Sequence, residues 1–298
     1  MVKLRRAALA VAFLALAAGP AAAFPDRPIR LIVGFPPGGS ADLVARAIQP
    51  IVEKRLGQPL IIENKAGAGG VIAADVAAKA TPDGHMIALA GAGALSVNVS
   101  LNEKMPYDPV KDLAPVTLLA AIPFVLIAPA SSPAQSVADV VALARAKPGS
   151  FSIGHGGNGT AMHLSAQLFN QMAGVTTTLV PYRGSAPVAS DVMAGHVPLG
   201  IADITSAIAL IRAGQIKALG VSTLRRTTTL PEVATIAESG LPGYESIGWF
   251  GIVNPAHPRG KRGSRAMERK IWIPACAGMS GTCFSAPNPR NYRLPDAP

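Results

Sequence analysis

Cysteine is nearly absent from this 298-residue chain: there are two, Cys276 and Cys283, both close to the C-terminus. A body without cysteine is neither a disulfide-stapled scaffold nor a thiolate metal domain, and a chain of this length can be held by its core alone. Charge is also sparse, at 15% of residues, and aromatics amount to 5%, whereas 49% of residues are hydrophobic. That balance excludes an intrinsically disordered protein, and the 30 glycines and 27 prolines follow no collagen period. The formal charge of +10 suggests a nucleic-acid surface only until it is located. Residues 1–23 hold Lys3, Arg5 and Arg6 with no acid, and residues 257–298 hold eight basic groups against Glu268 and Asp296. Residues 24–256 carry 16 basic and 15 acidic side chains, so the body is almost neutral and no nucleic-acid partner is expected.

The apolar run at 7–18 is about 12 residues long, short of the roughly 20 that span a bilayer. Basic residues precede it, and Gly19-Pro20 and the small residues Ala21-Ala22-Ala23 follow it. This is the pattern of a secretory signal cleaved near Ala23. The expected compartment is therefore a bacterial periplasm.

Beyond the leader, short β-type runs alternate with amphipathic helices, the order that builds α/β layers on largely parallel sheets. Strands are expected at 29–35, 60–63, 86–90, 116–128, 151–154, 178–182, 199–202, 218–222 and 247–253. Ser40 is expected to cap a helix whose apolar positions recur through Leu43, Ala47 and Ile51 and which ends at Gly57. Ser136 and Asp139 form a capping box for another, closed by Pro148-Gly149. Thr160 opens a third, which stops at Gly174. Ser185-Ala186-Pro187 opens a fourth, ending at Gly195, and Asp203 a fifth, ending at Gly214. Two units follow, 24–122 and 123–220, with a return to the first over 221–256. Two crossings make a hinge, with a cleft between the lobes. Residues 257–298 show neither helical stripe nor strand alternation and read as an out-of-frame or otherwise foreign C-terminus, with a disordered basic tail as the alternative.

Three strand exits carry the chemistry. Gly34-Phe35-Pro36-Pro37-Gly38-Gly39-Ser40-Ala41-Asp42 stands between a strand and a helix, where glycines admit a ligand to the backbone and the first helical amides face an anion. It lacks both the dinucleotide and the P-loop spacing, so no cofactor is expected. Gly154-His155-Gly156-Gly157-Asn158-Gly159-Thr160 repeats the arrangement in the second unit. His155 and His163 are eight apart with no neighbouring carboxylate or thiol, so no metal is expected. In Tyr182-Arg183-Gly184-Ser185-Ala186-Pro187 the arginine can neutralise a carboxylate or face solvent, and Asp203 can cap its helix or meet a ligand. No G-x-S-x-G, S-x-x-K or H-E-x-x-H occurs, and no close carboxylate pair. Binding without catalysis is therefore favoured over an exported enzyme acting on carboxylates, and a truncated, nonfunctional product is a third reading.

The motifs Arg27-Pro28-Ile29, Gly34 to Asp42, Ile62-Glu63-Asn64-Lys65-Ala66-Gly67-Ala68-Gly69-Gly70, Pro82-Asp83-Gly84, Tyr107-Asp108-Pro109 and Val180-Pro181-Tyr182-Arg183-Gly184 occur in one order. Together they closely resemble the periplasmic solute receptors of tripartite tricarboxylate transporters, the Bug family, from about residue 24 to 255. That resemblance implies a type II periplasmic-binding-protein fold, two α/β lobes closing on a small organic carboxylate that is passed to an inner-membrane permease, with no catalysis. The binding residues it implies are Pro37, Gly38, Gly39 and Asp42 on one wall and Gly157, Asn158, Gly159, Thr160 and Asp203 opposite, with Ala186 near the mouth. A monomer is expected. The departure from the family lies after Gly251, where further helices would complete the first lobe.

Overall fold

The computed structural model describes residues 24–257 apart from Pro148 and Ser150. The expected leader, the expected tail beyond His257, and Pro148 as a helix stop lie outside the described residues. In chain order the elements are β1 (Ile29–Val33), α1 (Ser40–Leu56), β2 (Leu60–Asn64), α2 (Val71–Ala78), β3 (Met86–Gly91), α3 (Asn98–Leu101), β4 (Leu113–Pro129) and α4 (Val137–Ala146). There follow β5 (Ser152–His155), α5 (Ala161–Ala173), β6 (Thr178–Pro181), α6 (Ser185–Met193), β7 (Leu199–Asp203), α7 (Ile204–Arg212), β8 (Ile216–Val221) and β9 (Ile247–Pro255).

β1 is parallel to β2 and β3, because helices and loops carry the chain back between them. Leu31, Ile32 and Val33 are all fully buried, and a strand covered on both faces needs such an uninterrupted apolar run. Leu31 and Val33 join Ala45 and Leu60 on one face, while Ile32 joins Ala74, Ala88 and Val253 on the other. β5 is likewise parallel to β6 and β7. Two clusters, one around Phe124, Ile153 and Phe169, the other around Val125, Val188 and Val221, bury the second sheet.

The parallel sets meet through antiparallel strands. β9 pairs with β3 and with the first part of β4, from Leu113 to Pro123. From Phe124 onward β4 pairs with β7 and β8 instead, with Phe124 opposite Asp203 and Val125 opposite Val221. One 17-residue strand thus serves both sheets, and the sheet is mixed rather than largely parallel.

Local signals explain most helix ends. Gly57 adopts φ 69° and donates its amide to Glu53 O at 2.9 Å, closing α1. The Ser136 hydroxyl accepts the Asp139 amide at 3.1 Å while the Asp139 carboxylate accepts the Ser136 amide at 3.0 Å, a complete capping box on α4. Thr160 caps α5 and Gly174, at φ 61°, ends it. Ser40 does not cap α1: the helix begins at Ser40 with Gly39 as its N-cap, and the Ser40 hydroxyl donates across to the buried Asp203 carboxylate. α2 has no polar stripe to announce it, since its alanines and valines turn Val71, Ala73, Ala74 and Ala77 into the core of the first sheet.

The segment after β8 differs from its expected course. Val221 bridges to Thr235, Ser222 accepts the Phe124 amide at 2.9 Å, and Ile236, Leu241 and Tyr244 are buried with Phe124 and Phe169. Apolar side chains at Leu230 and Val233 cover the other face of the second sheet. The chain therefore stays on that sheet until Ile247, whereas the return to the first unit was expected from residue 221 onward.

Candidate functional site

Between the two sheets lies a cavity of about 90 Å³, with its floor at the switch point of β4. Ile122 and Phe124 reach it from β4, Gly248, Trp249 and Phe250 from β9, and Phe35, Pro36, Pro37, Gly39 and Ser40 from the β1–α1 turn. The second sheet contributes Thr160, Ala161 and Met162 at the start of α5, Arg183 to Pro187 at the start of α6, and Asp203. A ligand site at the ends of strands where topology reverses is the usual outcome in open α/β sheets.

Four helix starts, those of α1, α5, α6 and α7, thus converge on one space. The opening amides of a helix lack an intrahelical acceptor, and the macrodipole makes that end positive, so the cavity suits an anion before any cationic side chain is counted. Arg183, exposed at the rim, adds a full positive charge there.

Asp203 is the one carboxylate in the lining and is only 3% exposed. Its carboxylate accepts the Ser40 hydroxyl, and its amide donates to Ser185 Oγ at 2.6 Å. Burial pushes its pKa up to about 6, against the opposing pull of the Ser40 hydrogen bond. A hydroxyl from the first sheet's helix and a carboxylate from the second sheet's strand therefore latch the two walls together.

A second contact reinforces the latch. Asn98, at the start of α3, donates its side-chain amide to Gly93 O at 2.9 Å and to Gly159 O at 3.3 Å, so one side chain grips both walls. A side chain at Gly93 would come within 3.0 Å of Gly159 O, and one at Gly69 within 3.1 Å of Asn158 O. Glycine is required there by closeness of approach.

The residues expected from sequence separate into three groups. Pro37, Gly39, Thr160, Ala186 and Asp203 line the cavity. Gly157 and Asn158 line an adjoining space of about 280 Å³, whose walls also include Phe35, Pro36, Gly69 and Arg183. Gly38, Asp42 and Gly159 line neither. Asp42 is buried and accepts from Gly38 N at 3.0 Å, Arg46 Nε at 2.8 Å and Asn64 Nδ2 at 3.1 Å; these donors hold its pKa low and shape the β1–α1 turn. Much of the α5 loop is satisfied internally. Gly157 donates to His155 Nδ1 and Gly159 to His163 Nδ1, each at 3.3 Å, and the Thr160 hydroxyl donates to Gly157 O at 2.7 Å. The two imidazoles stack at 4.7 Å as scaffold for this loop. Tyr182 gives its hydroxyl to Asp191 at 2.8 Å.

Sequence reasoning missed the apolar walls, Phe35, Ile122, Phe124, Met162, Trp249 and Phe250, and the place of Ser40 in the cavity lining. Phe250 and Trp249 lie on a strand far from the glycine-rich turns in sequence.

Residues 44–270 match the family described as tripartite tricarboxylate transporter family receptor. A UPF0065 protein of Pseudomonas sp. strain P51, from the tcbD-tcbE intergenic region, is 43% identical over 78% of this chain and 69% of its own length. Among solved structures, the R. palustris protein Rpa4515 with adipate is 36% identical, with a TM-score of 0.78 over 83% of this chain and 82% of that one. MatC from Rhodopseudomonas palustris with bound malate is 32% identical, with a TM-score of 0.76 over 85% of this chain and 87% of that one.

Proposed function

The chain belongs to the receptor family of tripartite tricarboxylate transporters, and from that premise we propose that it captures a small organic carboxylate in the periplasm and delivers it unchanged to an inner-membrane permease. The observation that carries this reading is the convergence of four helix starts and Arg183 on one cavity between two sheets. An anion entering it exchanges hydration for amides that are already oriented, so little reorganisation opposes binding. The relatives solved with adipate and malate support the ligand class. Among the described residues, no helix is long and apolar enough to cross a membrane.

The first lobe comprises 24–123 and 247–257, the second 124–246, and closure rotates one on the other about the crossings near Pro123 and Ile247. The ligand's carboxylate meets Gly39 and Ser40 on one side and Thr160, Ala161 and Ala186 on the other, with Pro37 and Asp203 beside it. Gly157 and Asn158 front the adjoining space, and Gly38, Asp42 and Gly159 hold the two turns in shape. No catalysis is part of this reading, which rests on the family's description as transporter receptors. The leader is removed near Ala23, and the receptor acts as a monomer.

The test is thermal denaturation of protein expressed from the full sequence against a panel of mono-, di- and tricarboxylates. A ligand at 100 times its Kd stabilises by about 2.7 kcal/mol, a rise in Tm of roughly 5–10 °C for a chain of this size. Mass spectrometry of the recovered ligand should find it unaltered. A flat response to the whole panel refutes the reading.

A further inference from the structure

The cavity's walls say more about the ligand than its helix starts do. Phe35 and Phe250 meet edge to face, with centroids 5.9 Å apart and an interplanar angle of 64°. Trp249, Phe124, Ile122 and Met162 continue the same apolar surface. A chain with only 14 aromatic residues places four of them around one small space. Against this stand two charged side chains in the lining, Arg183 and Asp203. One external negative charge is matched by Arg183 and the helix starts; a second would find no further cationic side chain lining either this cavity or the adjoining space, and Asp203 adds a negative charge of its own.

Resting on the receptor reading above, we propose that this receptor selects a planar, apolar monocarboxylate, an aromatic acid of the benzoate type, over aliphatic di- and tricarboxylates. Its carboxylate points to the starts of α1, α5 and α6, and its ring enters the space bounded by Phe35, Trp249 and Phe250. A flat ring gains edge-to-face contacts there. It also loses no internal rotations on binding, whereas a flexible aliphatic chain does.

The experiment is titration calorimetry on protein from the full sequence with benzoate, cyclohexanecarboxylate, adipate, malate and citrate. Benzoate should bind at least about tenfold tighter than any of the others. Adipate, malate or citrate binding as tightly as benzoate overturns the selectivity and leaves the receptor reading standing; cyclohexanecarboxylate equalling benzoate overturns the planar requirement. Binding of none of the five overturns both. Trp249→Ala should weaken benzoate about tenfold or more, and Trp249→Phe, which keeps an aromatic face, should recover most of that loss. Asp203→Asn should narrow the preference for benzoate over adipate, since it removes the repelling charge without changing shape. An unchanged ratio in Asp203→Asn refutes the role given to that carboxylate.

Discussion

Replacing Asp203 by asparagine should stabilise the unliganded protein at neutral pH and leave it unchanged in acid. The carboxyl ordinarily titrates near 3.8, and burial raises it to about 6 in the fold. The folded state therefore holds this proton more tightly than the unfolded chain does. Well below pH 3.8 the group is protonated in both states and costs nothing. Between pH 4 and 6 the unfolded chain releases the proton first, and stability falls as pH rises. Two pH units at 1.36 kcal/mol each give a cost of about 3 kcal/mol, fully present by pH 7. Asparagine keeps an oxygen to accept the Ser40 hydroxyl and removes the charge. The Tm of Asp203→Asn should consequently exceed that of the unmodified protein by roughly 6–10 °C at pH 7.5 and by no more than about 2 °C at pH 4. Circular-dichroism melts of both proteins from pH 4 to 8 provide the measurement. A difference in Tm that does not vary with pH, or a variant less stable at pH 7.5, would show that the carboxylate is not strained by burial.

His155 should impose the opposite slope. Burial and its stacked neighbour His163 lower its pKa from 6.5 to about 4, so the unfolded chain takes up the proton first and stability falls, by up to about 3 kcal/mol, as pH drops from 6.5 to 4. That acid lability should be steeper in Asp203→Asn, where the opposing slope of that carboxyl is gone, and reduced in His155→Asn to what His163, its pKa also lowered by burial, still imposes; a flat profile in Asp203→Asn refutes it. Asn98→Ala removes the side chain that bridges Gly93 O and Gly159 O. It should open the cleft, enlarging the radius of gyration of the unliganded protein in small-angle scattering and weakening ligand binding by about tenfold, while an unchanged radius and affinity would deny it a closing role. Ser136→Ala breaks the capping box of α4 and should cost about 1 kcal/mol in urea denaturation without altering ligand affinity, since no residue of α4 lines the cavity or the adjoining space; a coupled loss of affinity would refute that independence.

The sequence was most legible where a single local cause decides the structure. Gly57 and Gly174 end their helices because only glycine adopts left-handed backbone freely, and Ser136 with Asp139 opens α4 through bonds contained in four residues. Each of the nine expected strands has a counterpart within a few residues, since runs such as Ile29 to Val33 must be buried on both faces. α2 was illegible because it is apolar on both faces, with Ile72 exposed opposite the buried Ala73, Ala74 and Ala77, and so has no stripe. Ser40 misled for a different reason: its hydroxyl had two acceptable uses, and a partner 163 residues away decided between them.

By itself, then, the order of residues determined the alternation of strand and helix, the glycine-rich turns at the strand exits and the family to which they belong, because each rests on near neighbours in the chain or on recurring short motifs. Only the tertiary structure decided which faces enclose the ligand. Phe35 and Phe250, Asn98 and Gly159, and Ser40 and Asp203 are brought together by β4 and β9 crossing between two sheets. No local preference specifies such meetings; they follow from burying four apolar clusters at once, two on each sheet.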